Sequence, residues 1–531
     1  MAGMIAAGDP ATAAAGAAML SAGGNAVDAA VAAAFASFIA EIGVVHLGGS
    51  GIAQIFDPQR GQPLVYDFFS VMPGLGRPAP PEELDFARVE IDFGPATQEF
   101  YLGRASVAVP GNIAGLCQMA ADYGRLPLSQ LLEPAITLAR VGHPLTPFQA
   151  DTCALLAPLY THTSSMRRIF AANGRMIQPG ERLLIPDLDD TLTALAQEGA
   201  EYARSGRLAQ TMLADQTVRG GLLTASDLLT YQVRQGPPIR LAYRQYEILL
   251  PPPCSSGGAL IAFSLKLMNA FPVGEMRPGS TAHVRFLYEV MAATSRARPI
   301  WDAAIETMDG AAAVATFLDD AFIQNYVDEL HVALHASRPS PAFAEPPGPS
   351  NTSHLSVIDG DGLAVSLTTT AGESAGYVVP GTGYIPNNML GEADLHPGGF
   401  HTRPAGQRIP TMMTPTVVLA NGQTRLVVGS GGSIRIRSAI LQTLSNFLDF
   451  EMPLATAVNT ARVHLDGDIL QCESGVDPAA IAELASWGYR VNRWDKRSIY
   501  FGGAHSVAVE NDGRLVAAGD DRRGGAVAAI A

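Results

Sequence analysis

Ser337 to Thr370 reads SRPSPAFAEPPGPSNTSHLSVIDGDGLAVSLTTT, and its texture changes twice. Ser337–Ser350 carries five prolines in 14 residues. Proline fixes φ and lacks an N–H, so this stretch suits neither helix nor sheet and is expected to be an exposed, extended connector. Thr352–Ile358 and Leu363–Thr370 then alternate with period two around Asp359-Gly360-Asp361-Gly362, which predicts an antiparallel hairpin. With the turn centred between Gly360 and Asp361, Thr352 lies opposite Thr369, give or take one residue.

Working outward, two more hairpins are expected: Thr416–Leu419 with Thr424–Val428 around Asn421-Gly422, and Ser506–Val509 with Leu515–Ala518 around Asp512-Gly513. Residues 352–531 are therefore strand-rich, with helices near Ser438–Leu448 and Ala479–Trp487. Hairpin strands make antiparallel sheets, not the parallel sheet of a nucleotide-binding fold. Before the connector the pattern is mostly helical, with short strands expected at Ile52–Phe56 and Pro63–Phe68 around a turn at Asp57–Gly61. Asp9-Pro10 opens an Ala-rich helix that Gly23-Gly24-Asn25 stops, and Ala26–Glu41 begins another. Further helices are expected over Ile113–Tyr123, Ser129–Val141, Leu192–Glu198, Ala259–Ala270 and Ala282–Ala297.

Composition narrows the function. The chain has 531 residues, 47% of them hydrophobic and 16% charged, which excludes bulk disorder. Its net charge of −15 argues against nucleic acid and anionic membrane surfaces as partners. The longest apolar run, Ala26–Val45, holds Asp28 and Glu41 and reads as a buried core helix, not a membrane span. The four cysteines, Cys117, Cys153, Cys254 and Cys472, form no CxxC pair, disulfide scaffold or zinc motif. Met1–Asp9 lacks the basic and apolar regions of a secretory signal, so the expected location is cytoplasmic, or periplasmic had a leader been removed.

Four places can carry chemistry. A hydroxyl at the start of a strand, just after an exposed segment, is where a self-cleaving protein keeps its nucleophile. Cutting Asn351–Thr352 would give Thr352 an α-amine of pKa roughly 7.7–8, a base beside its own hydroxyl. An ordinary linker entering a hairpin reads the same way from this feature alone. Second, Leu426–Ser433 (LVVGSGGS) runs a strand into glycines, where amide N–H groups can meet an anion or oxyanion; a tight strand-to-helix turn is the other reading. Ile434 breaks the GxGxxG spacing of a dinucleotide loop. Third, Asn387–Glu392 (NNMLGE) is a polar loop. Fourth, His354 shares the Thr352 face by alternation, as a base or as a satisfied core histidine. Cys254, before Gly257-Gly258, reads as a nucleophile or as a buried structural thiol.

Together these features resemble the γ-glutamyltransferase (glutathione hydrolase) family of N-terminal nucleophile hydrolases. The likeness runs through Ala22–Ala30 (AGGNAVDAA), Gly48-Gly49, Ser106–Gly111 (SVAVPG), Pro251–Gly258, Asn351–His354, Asn387-Asn388, Met413–Thr416 (MTPT) and Gly429–Ser433. It implies an α+β fold, an αββα sandwich of two antiparallel sheets between helical layers. It implies a proenzyme that cuts itself into 1–351 and 352–531, which stay intertwined as a heterodimer, with a further dimer of these as an option. Thr352 matches the nucleophile, Thr370 the threonine that hydrogen-bonds it, and Gly431, Gly432 and Ser433 the oxyanion hole. The implied activity is acyl transfer from a small-molecule amide to water or an amine, with no cofactor and no metal.

The departures concern the substrate. Where the family has an arginine for the substrate carboxylate, in a segment like DFRE, this chain has Asp67-Phe68-Phe69-Ser70. The paired serines before MSPT are Thr411 and Met412. The asparagine two places after the matched threonine is Gly372. Asn388 matches the family loop, and Glu392 is the acidic residue that would hold a substrate amino group. Losing charge-assisted donors to a carboxylate leaves three readings open: a γ-glutamyl amide bound differently, another acyl amide of the cephalosporin or oxamate kind, or an unprocessed scaffold. Arg403, Arg408 and Arg435 are the candidates to replace the lost arginine.

Overall fold

A computed structural model describes residues 2–77, 81–92, 97–336, 338–344, 351–396 and 398–530. The second half of the Pro-rich connector, 345–350, lies outside these, as does Ser337. Residues 338–344 are irregular and mostly exposed, as expected.

Strands are labelled here in chain order: β1 Gly3–Ala7, β2 Ser50–Phe56, β3 Leu64–Phe68, β4 Arg234–Gly236, β5 Ile239–Tyr243, β6 Tyr246–Leu250, β7 Asn351–Asp359, β8 Ala364–Gly372, β9 Thr416–Ala420, β10 Gln423–Val428, β11 Ser506–Val509, β12 Leu515–Ala518 and β13 Ala526–Ile530. They build two antiparallel sheets, ordered β13-β1-β7-β8-β2-β3-β4 and β12-β11-β10-β9-β6-β5. Alternation along β7 and β8 divides their side chains between two cores. Leu355, Val357, Val365 and Leu367 pack against the helical layer of α1 (Pro10–Ser21) and α2 (Ala26–Ala40). Ile358 and Ala364 meet Leu249, Val417, Val427 and Val507 of the other sheet. The outer face of that second sheet is covered by α3 (Ser256–Asn269), α4 (Thr281–Thr307) and α5 (Arg435–Leu448). The order helix, sheet, sheet, helix is the αββα sandwich expected.

The AGGNAVDAA stretch is the joint between α1 and α2. Asn25 caps α2 by accepting from the Val27 and Asp28 N–H groups, while Asp28 accepts from the Asn25 N–H at 2.8 Å. Every residue of α2 is buried, and its alanines let the helix lie close to the sheet. Among the described residues no helix is long and apolar enough to cross a membrane.

Two sequence expectations need correction. Strands at Val463–Asp466, Ile469–Cys472 and Arg490–Arg493 form a small extra sheet in which the last pair is parallel. A helix, Pro478–Ser486, separates that pair, and such a crossover permits parallel pairing. The strand-rich part is also not confined to the chain after Asn351. Four strands of the first sheet and two of the second precede it; of these, β2 and β3 were expected and β1, β4, β5 and β6 were not.

Candidate active site

Thr352 is the second residue of β7 and faces the space between the sheets, with His354 and Ser356 on the same side. It pairs with Thr370, within the register range read from the turn. Asn351 pairs with Gly372, so Ala371 is an extra residue and the ladder bulges beside Thr352. The bulge decides what Thr370 holds. Its hydroxyl donates to the Asn351 carbonyl at 2.6 Å and accepts the Gly372 N–H at 3.1 Å. The sequence reading paired it instead with the Thr352 hydroxyl. That hydroxyl is buried and has no partner among the described residues. A buried polar atom left unpaired is uncommon and needs a reason.

The Gly-rich loop lies along the same strand. A Cβ at Gly429 would overlap the His354 ring, and one at Gly431 would overlap the Thr352 carbonyl oxygen, so glycine is needed for the approach. Gly432 has φ +121°. Ser433 donates its hydroxyl to Asp394 at 2.6 Å. Arg523 completes the enclosure by donating to the Thr352 carbonyl at 3.2 Å, and burial pulls its guanidinium down to about 9.

Thr352 and Thr370 open onto a cavity of about 350 Å³. Phe69, Glu392, Thr411, Met412 and Ser433 line it, as do Cys254, Met389, Met413 and Asp394. Asn388 does not; its side chain accepts the N–H groups of Glu373 at 2.7 Å and Ser374 at 3.2 Å, a framework role. Gly431 and Gly432 are not among its lining residues, although their neighbour Ser433 is. A Cβ at Gly372 (φ +66°) would overlap both Glu392 and Asn388, which accounts for glycine there.

The cavity is acidic near Thr352. Burial pushes Glu373 and Glu392 well above the usual carboxylate range and raises Asp394, and repulsion from Asp394 adds to the rise at both glutamates. One oxygen of Glu392 is buried without a partner. Of the three arginines, Arg408 is engaged within the chain, although its buried Nε makes no hydrogen bond. It pairs with Asp67 at 3.4 Å and donates to Tyr231, Gln232 and the Phe69 carbonyl. Arg435 is held by the Tyr500 carbonyl at 3.0 Å. Arg403 lines the cavity half-buried, with no hydrogen-bond or ion-pair partner among the described residues.

His354 is a satisfied core histidine, bonded to Thr368 at 2.8 Å and Ser356 at 3.0 Å, and burial lowers its pKa well below the ordinary value. Burial raises the Cys254 thiol well above its ordinary value, so it is no ready thiolate. Sequence reasoning missed Glu373, Asp394 and Arg523. An isolated charge in a loop is normally solvated, and only the folded chain shows these buried.

Glu41, at the end of α2, accepts the Ser353 hydroxyl at 2.5 Å, and burial raises its pKa from 4.5 to about 7. Above pH 4.5 the unfolded chain gives up a proton that the folded chain keeps. Stability therefore falls as pH rises to about 7 and levels off beyond it. Glu41→Gln keeps the acceptor and removes that fall. Its stability should gain on wild type between pH 5 and pH 8, by up to about 3 kcal/mol. Melting temperatures of the two proteins that run parallel across this range would disprove it.

Comparison with known proteins agrees with this geometry. Residues 12–530 match the family model described as gamma-glutamyltranspeptidase. The chain is 33% identical to an "Acylase ACY 1 proenzyme" of Pseudomonas sp. (strain V22), over 99% of this chain and 93% of that one. It is 28% identical to the "Glutathione hydrolase proenzyme" of Escherichia coli (strain K12), over 98% and 90%. The crystal structure of cephalosporin acylase from Bacillus halodurans superimposes with a TM-score of 0.83 at 25% identity, covering 99% of this chain and 95% of that one. The chain therefore belongs to the γ-glutamyltranspeptidase family and is an enzyme of the N-terminal nucleophile hydrolase type.

Proposed function

We propose that the chain cuts itself between Asn351 and Thr352 and then hydrolyses amides through an acyl-enzyme on Thr352. The observation that carries this is the unpartnered Thr352 hydroxyl beside a scissile carbonyl already polarised by Thr370 at 2.6 Å. In the cut enzyme the new α-amine takes the proton from the Thr352 hydroxyl, which attacks the substrate carbonyl. Amides of Gly431, Gly432 and Ser433 meet the oxyanion, and the amine returns the proton to the leaving nitrogen. Water then releases the acid by the same steps. Purified protein should run as fragments of about 37 and about 19 kDa, from 55.7 kDa divided by length, the smaller one starting at Thr352. A chain that stays whole on prolonged incubation would sink this reading.

The acyl group follows from the cavity wall. Phe69 and Met412 offer no donor to a carboxylate, while Glu392 and Asp394 suit an amino group. The lost contact matters: hydrogen bonds to charged groups contribute roughly 1.5–3 kcal/mol. Amides whose acyl part is apolar, or whose carboxylate can reach Arg403, should therefore outrun γ-glutamyl anilides. Names given to relatives, acylase as well as glutathione hydrolase, fit a family that varies at this point. The check is kcat/KM for γ-glutamyl-p-nitroanilide against a panel of acyl anilides, in wild type and Phe69→Arg. Wild-type γ-glutamyl turnover of roughly 10⁴ M⁻¹s⁻¹ or more would refute it.

A further inference from the structure

Three side chains, two at the end of β8 and one from near the C-terminus, hold the bond between Asn351 and Thr352. Thr370 takes the Asn351 carbonyl and Arg523 the Thr352 carbonyl. The third is Glu373, and it divides its carboxylate between two donors of one residue. Oε1 accepts the Asn351 main-chain N–H at 3.1 Å, and Oε2 accepts Asn351 Nδ2 at 2.8 Å. Nδ2 also donates to the Gly43 carbonyl at 3.0 Å. Both Asn351 and Glu373 are buried, at 8% and 3% exposure.

We propose that Glu373 is the positioning residue for self-cleavage, and that it recognises asparagine at position 351 through main chain and side chain together. This rests on the reading that Thr352 cuts the chain. Thr352 Oγ bonds to the Asn351 carbonyl carbon, the C–N bond breaks, and the hydroxyl proton ends on the Thr352 nitrogen. Water then opens the ester, leaving a carboxylate on Asn351 and restoring the hydroxyl. Glu373 bonds no atom that changes partner in these steps. Its two-point grip stops Asn351 turning at the end of a connector and keeps its carbonyl against Thr370, within a bulge next to the nucleophile. Correct presentation of this kind governs attack rates strongly. The grip also discriminates. An aspartate in place of Asn351 would set a second carboxylate against Glu373 in a dry site, and an alanine would lose the side-chain half of the contact.

The test is the time course of self-cleavage on gels, for wild type, Glu373→Ala, Asn351→Ala, Asn351→Asp and the double variant Asn351→Asp/Glu373→Gln, with circular dichroism melts to confirm folding. Glu373→Ala and Asn351→Ala should cut roughly 10–100-fold more slowly. Asn351→Asp should be slowest at pH 8 and recover as pH falls and the facing carboxyls take up protons, a profile a purely structural role would not produce. In the double variant the introduced glutamine keeps an acceptor for the main-chain N–H and donates to the introduced aspartate, so cleavage should recover in part at pH 8. Folded Glu373→Ala or Asn351→Ala protein cutting at the wild-type rate overturns the proposal while leaving self-cleavage intact. Wild type that never cuts overturns both. Should Glu373→Ala fail to fold, Asn351→Ala and the double variant still decide.

Discussion

A Thr352→Ala chain is expected to stay whole at 55.7 kDa and to hydrolyse none of the amides that wild type turns over. The substitution removes the hydroxyl proposed to begin both reactions, and His354 and Cys254 are in no state to replace it. It should not unfold the protein. The Thr352 hydroxyl is buried without a partner, so deleting it relieves a desolvated polar atom while removing one methyl group. Melting should stay near that of uncut wild type or rise slightly. Thr352→Ser keeps an oxygen in place and should still cut. Cleavage or activity in Thr352→Ala, shown by fragments or by released amine, would move the nucleophile elsewhere.

Thr370→Val should slow self-cleavage by roughly 10²–10³, the usual cost of losing a donor to a developing oxyanion. Valine keeps the branched shape that β8 requires but cannot donate to the Asn351 carbonyl or accept the Gly372 N–H. The hydrogen bond in the uncut chain is to the carbonyl under attack, so cleavage should suffer before turnover is measured at all. Thr370→Ser should restore most of the rate. Wild-type cleavage kinetics in Thr370→Val would mean that the bulge presents Asn351 without help from this hydroxyl.

The three hairpins after the connector were legible because each joins an Asp-Gly or Asn-Gly turn to alternating strands, and the turn sets the register. Thr352 opposite Thr370 follows from counting. What Thr370 bonds to does not, since the bulge at Ala371 redirects the hydroxyl by an amount no pattern encodes. β5 and β6 were missed because short strands inside a helical region carry weak periodicity. They belong to the second sheet only through pairing with β9, far along the chain. The Gly-rich loop was legible from its own glycines, whereas Phe69, Met412 and Asn388 came from family likeness; the first two line the cavity and Asn388 does not. A matched polar residue can keep its position and serve the backbone. Glu373, Asp394 and Arg523 left no trace in the sequence because burial, which makes them consequential, belongs to the fold.

Strands from before and after Asn351 share both sheets, and this has a thermodynamic consequence. A cut at Asn351–Thr352 need not break any sheet hydrogen bond beyond that point, yet it changes the molecularity of unfolding. The whole chain unfolds to one species, so its melting temperature is independent of protein concentration. The cut form unfolds to two, so mass action makes its melting temperature climb with concentration and drop on dilution. A dilution series would thus separate the two forms without a gel: wild type should shift, and Thr352→Ala should not.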